Sequence, residues 1–153
     1  NRDSFQSIVY NKAALVFMML RDILGDQEFQ NRLNRLVEEN RYKNLSSFGF
    51  IKEFSQNSSV LQKFFNGWIY SRQIPEVRYT IESRANKVLL TVHQENTDFV
   101  FPLILQLKTT KGRRQQKVVI DKKDQVFELT ETAVIMEAVV DTLYAPIRLQ
   151  ANN

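Results

Sequence analysis

At 153 residues, with 43% hydrophobic and 25% charged residues, the chain has the size and composition of an ordinary globular protein, which excludes a disordered or collagen-like one. It contains no cysteine, so disulfide frameworks, thiolate metal sites and cysteine nucleophiles are excluded, although the compartment is not thereby identified. The net charge of +4 is spread over both halves, whereas a nucleic-acid binder concentrates its excess on one face.

The first half reads as about four helices. From Ala13 to Leu20 every residue is apolar, a run too short to span a bilayer and too uniform for a helix with a wet face. Helix one is predicted from about Ser4 to Leu24, ending at Gly25, which is free to take a left-handed conformation, with Asp26 as the cap of the next helix. That second helix places Phe29, Leu33, Leu36 and Val37 on one face, opposite Arg32, Arg35 and Glu38. Ser46 or Ser47 can cap a short third helix with a Phe50, Ile51 and Phe54 stripe, despite the helix-weakening Gly49. A fourth is predicted from Ser59, with Gln62 as its capping-box partner, and buries Leu61, Phe64, Phe65, Trp68 and Ile69. The proline in "RQIP" ends it, because the residue before a proline is pushed away from helical angles. Eleven phenylalanines should make the cores aromatic-rich.

Beyond Pro75 the apolar period changes from 3.6 to 2. Val77, Tyr79 and Ile81 mark one strand and Val88, Leu90 and Val92 a second, whose face Leu89 interrupts. Phe101, Leu103, Leu105 and Leu107 mark a third, followed by a turn in "KTTKGRRQQ" and strands over 117–120 and 126–129. Val134, Met136, Ala138 and Val140 mark a sixth. The fold class is therefore α+β: a helical segment over 1–75, an Ig-like antiparallel β-sandwich over 76–145, and a polar tail over 146–153 expected to fray or to lead onward.

Few residues could carry chemistry. His93 is the only histidine, which excludes a two-histidine metal site, and it reads as a surface histidine on a strand. Lys108, Lys111, Arg113, Arg114 and Lys117 surround a hairpin glycine without interleaved aromatics, so they read as a solvated turn. The adjacent Glu38 and Glu39 point about 100° apart on a helix and cannot converge on one metal. The sequence has no H-E-x-x-H, G-x-S-x-G or phosphate-binding glycine loop, and so no complete catalytic constellation. Tyr10 remains: a phenol is a neutral donor suited to a developing oxyanion, while a tyrosine heading an apolar helix is by default a core residue.

The order of the pieces bears on that choice. "VYNKAALVFMMLRDILGDQEF", then "FIKEFSQNSSVLQKFFNGWIYSRQIPEV", then a strand-rich tail resembles the gluzincin zinc aminopeptidases, the group containing membrane alanyl aminopeptidase and leukotriene hydrolase. In that family a Y-x-K-[GA]-A helix follows the zinc motif, and a later helix with F-F-x-x-W-[IL] leads through a proline to a β-sandwich. The match covers the helical half; in the β half, order and pattern agree.

The resemblance implies that Tyr10 is the tyrosine whose hydroxyl stabilises the tetrahedral intermediate as zinc-bound water attacks the scissile carbonyl, and that Lys12 and Ala13 complete its motif. The family's zinc ligands lie upstream of this tyrosine, so zinc is implied for the parent protein and none is expected on this chain. The implied function is that of a fragment of a zinc-dependent metallo-aminopeptidase, a hydrolase acting on peptides, inactive alone. A non-catalytic scaffold or interaction module on the same fold is the alternative. Neither nucleic acid nor a membrane span is expected, and the helix from Ile8 to Leu20 is expected to drive self-association.

Overall fold

The computed structural model describes residues 2–95, 99–142 and 144–152, with the backbone alone over 2–9. The elements fall into two units, helical up to Tyr70 and stranded from Ser71.

The helical unit comprises α1 (Arg2–Leu24), α2 (Asp26–Glu39), α3 (Ser47–Ser55), α4 (Ser59–Phe65) and a π-helical segment (Asn66–Tyr70). One residue, Gly25, joins the first two helices. Its N–H donates to the Arg21 carbonyl at 2.9 Å, closing α1, and its carbonyl accepts from Phe29 N–H at 3.0 Å, opening α2. Its φ of 81° and ψ of 157° lie in a region essentially closed to residues with a Cβ. Asp26, predicted as a cap, is instead the first residue of α2, which has no side-chain cap; it pairs with Arg21 at 2.6 Å.

The serine caps are present, with one shift. Ser46 caps α3, its hydroxyl accepting from Gly49 N–H at 3.1 Å. Ser58, not Ser59, caps α4 and accepts from Leu61 N–H at 3.3 Å, so Leu61 occupies the third position and no capping box with Gln62 forms.

The face of α2 is rotated from the prediction. Leu36 is buried and Phe29 and Leu33 are half-buried, but Val37 is exposed. Arg32, predicted to face water, donates to the Phe54 carbonyl and pairs with Glu28 at 2.6 Å, while Arg35 pairs with Glu53 at 2.5 Å. A long side chain can bury its stem while its head satisfies a carbonyl, and this moves the α2–α3 seam toward the arginines.

Phenylalanine rings knit the four helices together. Phe50 of α3 lies 5.4 Å from Phe17 of α1, 4.6 Å from Phe54 and 5.9 Å from Phe65 of α4, and Phe29 of α2 lies 6.0 Å from Phe17 and 5.9 Å from Phe54. These separations are those of attractive aromatic pairs. Phe54, Phe64 and Phe65 are fully buried.

The second unit has β1 (Glu76–Arg84), β2 (Lys87–Gln94), β3 (Phe101–Thr109), β4 (Gly112–Ile120), β5 (Asp124–Thr130), β6 (Ile135–Asp141) and β7 (Arg148–Ala151). They form two sheets, ordered β5-β2-β1-β7 and β4-β3-β6, antiparallel throughout except for β1 with β7. With the helices before them, these sheets make the α+β fold with a β-sandwich that the periodicities predict. Val88, Leu90 and Val92 on one sheet and Phe101, Leu103, Leu105 and Leu107 on the other are buried, as alternation requires. Pro102 is tolerated inside β3 because β6 pairs only from Ile104 onward, leaving one side of the strand locally an edge.

Three details differ from the pattern. The hairpin "KTTKGRRQQ" is only two residues at its tip, Thr110 and Lys111, and Arg113 to Gln116 belong to β4, so they are strand residues. In β6, a register shift opposite Lys108 and Thr109 breaks the alternation: Ile135 and Val140 are buried while Met136 is exposed. Residues 148–151, expected to fray, pair in parallel with β1 and are tied by Arg148 to Glu76 at 2.7 Å.

Replacing Gly25 with alanine forces a Cβ onto the only backbone geometry that joins α1 to α2. Denaturant unfolding followed by circular dichroism should show a loss of about 1–3 kcal/mol; an unchanged midpoint would mean the junction adopts another geometry.

Candidate active site

The residues the resemblance singles out gather on α1. Tyr10 is 71% exposed, and Lys12, Ala13 and Ala14 are exposed beyond it, whereas Val16, Met19 and Leu20 are buried. The change follows from packing: the phenylalanine cluster grips α1 from Phe17 onward and leaves the turns before it uncovered among the described residues. Tyr10, Ala13 and Phe17 stand three and seven positions apart, so they share one helical face.

Next to that face lies an open groove of about 330 Å³. Lys12, Ala13 and Phe17 of α1, Phe50 of α3, and Trp68 and Ile69 of the π-helical segment form its walls. The two stretches that carry the resemblance, "YNKAA" and "FFNGWI", are 54 positions apart between Tyr10 and Phe64 in sequence, yet their residues line the same groove. The sequence alone does not reveal this meeting, and it does not single out Phe50 as a wall residue. The helical stripe that marks Phe50 as core is the only signal that could have found it.

No group of three or more histidine, cysteine, aspartate or glutamate side chains that could hold a metal occurs among the described residues. Zinc therefore does not fit any site on the described part of this chain. Glu38 and Glu39 are both exposed on α2. His93 lies on the outer side of β2, where its Nδ1 bonds Asp124 and its Nε2 is 3.9 Å from Glu95. It is a surface strand histidine bridging β2 and β5.

The electrostatic shifts belong to surface ion pairs of the sheets and of the α1–α2 junction. A hydrogen bond from Lys87 holds Glu128 below the ordinary carboxylate value of 4.5, and one from Arg78 does the same for Glu95. Asp26 raises the pKa of Arg21 through their hydrogen bond. No helix among the described residues is long and apolar enough to cross a membrane.

Comparison with known proteins gives this geometry its context. Residues 1–68 match the Peptidase family M1 domain. Aminopeptidase N of Haemophilus influenzae is 26% identical over 141 residues, covering 78% of this chain and 16% of that protein. The crystal structure of Legionella pneumophila aminopeptidase A in complex with aspartic acid superposes with a TM-score of 0.78 at 17% identity, covering 96% of this chain and 18% of that one. This last likeness establishes the fold. The chain thus spans under a fifth of the length of either relative, and together the matches support a fragment of a gluzincin, M1-type aminopeptidase.

Proposed function

We propose that this chain is the part of a zinc-dependent metallo-aminopeptidase that carries the oxyanion-stabilising tyrosine, Tyr10, but not the zinc site. In this reading the helical segment, residues 1–75, is the C-terminal part of the catalytic domain, and the β-sandwich is the adjoining domain. The parent cleaves N-terminal residues from peptides. The observation that carries the reading is the exposed Tyr10 on the helical face that leads into the groove where the two motif stretches meet.

The chemistry assigned to Tyr10 requires only its hydroxyl. A phenolic hydroxyl can donate a hydrogen bond to the oxygen on which negative charge develops as the peptide carbonyl becomes tetrahedral. A zinc held by residues of the parent protein would supply a polarised water as the nucleophile. Tyr10 must then be accessible from outside α1, as an exposed residue is and a core residue is not.

The alternative, a non-catalytic scaffold or interaction module on the same fold, rests on the principle that a shared fold does not fix function. An H-E-x-x-H with its distal glutamate in the parent upstream of Asn1 separates the two, since a scaffold has no need of it.

Exposure of Tyr10, Ala13, Ala14 and Met18 also supports self-association through the Ile8 to Leu20 helix. Ile8 and Val9 lie where only the backbone is described, and the buried Val16, Met19 and Leu20 leave the outer side of α1 as the contact. Sedimentation should therefore find dimers or larger species, weakened by Met18→Glu; a monomer at high concentration would count against the contact.

In the assembled parent, Tyr10→Phe should lower kcat by about 10²–10³ with zinc content unchanged, because one oxyanion donor is worth about 2.7–4 kcal/mol. An unchanged rate would return Tyr10 to a structural role. The 153-residue chain alone should not hydrolyse a fluorogenic aminoacyl amide, with or without added zinc. Turnover by the pure chain would show that it holds a nucleophile of its own.

A further inference from the structure

Two sets of cations in the β-sandwich unit contrast with one another. On the outer side of the β5-β2-β1-β7 sheet they are matched by carboxylates: Lys87 with Glu128 at 2.8 Å, Arg148 with Glu76 at 2.7 Å, Arg78 with Glu95, and Arg84 with Glu82 at 3.8 Å. At the β3–β4 hairpin the opposite holds. Lys108, Lys111, Arg113 and Arg114 are in no ion pair among the described residues. Glu137 stands opposite Lys108 in the register of β3 and β6 and is the one carboxylate lining the hollow of about 300 Å³ beside Arg113 and Arg114.

A second property of the same strand is independent of charge. β4 is the outer strand of its sheet, with β3 as its only neighbour among the described residues, and residues 112–117 are exposed on both faces. Its outer side therefore presents a row of backbone N–H and C=O groups that an added strand can use. Buried edges and apolar edges pair with anything extended; this one is selective. A second copy of β4 laid alongside would set arginine and lysine against arginine and lysine, which repel. A strand bearing carboxylates would meet Arg113 and Lys108 on one face and Arg114 on the other, with the Gln115 and Gln116 amides as further donors.

We propose that the β4 edge is a docking strand for an extended acidic polypeptide segment, which adds beside residues 112–117 and is selected by the unmatched cations of the hairpin. Main-chain pairing supplies the attachment and charge supplies the choice of partner, the usual division in strand addition. Polypeptide is favoured over nucleic acid because the hairpin has no aromatic side chain on which bases could stack, and because Glu137 interrupts the positive field where a phosphate chain would run.

The test uses the 153-residue chain, labelled for amide NMR, and a synthetic peptide of about eight alternating Glu and Val residues. Shifts confined to the amides of 112–117 and their β3 neighbours are expected, with affinity falling as salt rises. The same peptide N-methylated at alternate residues keeps its charge and cannot pair, and should bind at least about tenfold more weakly. Arg113→Glu should cost a similar factor, and Arg113→Gln, compared at matched melting temperature, should lose binding even if the glutamate variant misfolds. Equal binding of the methylated peptide, shifts elsewhere or none, tighter binding of an oligonucleotide or of anionic vesicles, or dimerisation through β4 would each overturn the proposal.

Discussion

The contact on which the helical unit depends is the stack of rings around Phe50. It touches Phe17, Phe54 and Phe65 directly and Phe29 at one remove, so each of the four helices contributes a ring to one cluster. Burying a phenylalanine contributes roughly 1.5–3 kcal/mol, and a well-placed ring pair about 0.5–1.5 kcal/mol beyond that. A shared cluster of this kind fixes rotation as well as distance. Because Phe17 must point into it, the residues seven and four positions earlier, Tyr10 and Ala13, are aimed in the same direction about 10 Å and 6 Å along the helix. The orientation of the candidate hydroxyl is thus a consequence of core packing two turns away.

The β-sandwich rests on a different device. Gln94 is buried at the end of β2, where its amide donates to the carbonyls of Phe99 and Lys122 at 2.9 Å and accepts from Phe99 N–H at 2.9 Å. A buried amide satisfied on both sides is tolerated at little cost, whereas the backbone groups it serves would be expensive to leave unpaired. Around this anchor the two sheets diverge in character. One has an outer face of matched ion pairs, each adding little stability, and the other ends in an edge strand whose Arg113 and Arg114 are in no ion pair among the described residues.

The relation to aminopeptidases rests on evidence of two grades. The motif stretches and the matched domain concern the helical unit, while the superposition on Legionella pneumophila aminopeptidase A extends over 96% of the chain and speaks for its fold. Fold and function separate easily in evolution, so the groove and Tyr10 matter more to the proposed activity than the sandwich does. The convergence of Lys12, Ala13, Trp68 and Ile69 on one groove gives the two motifs a common physical location.

Local periodicity determined much of this protein without help. The switch from a 3.6-residue to a 2-residue repeat at Pro75 placed the helices before the strands, the Val88, Leu90 and Val92 alternation identified a buried face, and the stripe through Leu61, Phe64, Phe65 and Trp68 identified another. Each is a signal carried by neighbours in the chain. The tertiary structure decided what depends on partners far away: Arg32 turned inward because a carbonyl of α3 awaited it, Met136 turned outward because β6 slips register against β3, and residues 148–151 became a strand because β1 had a free edge. The accessibility of Tyr10 belongs to the same group. A tyrosine heading an apolar helix reads by default as core, and only the point at which the other helices stop covering α1 leaves this one exposed.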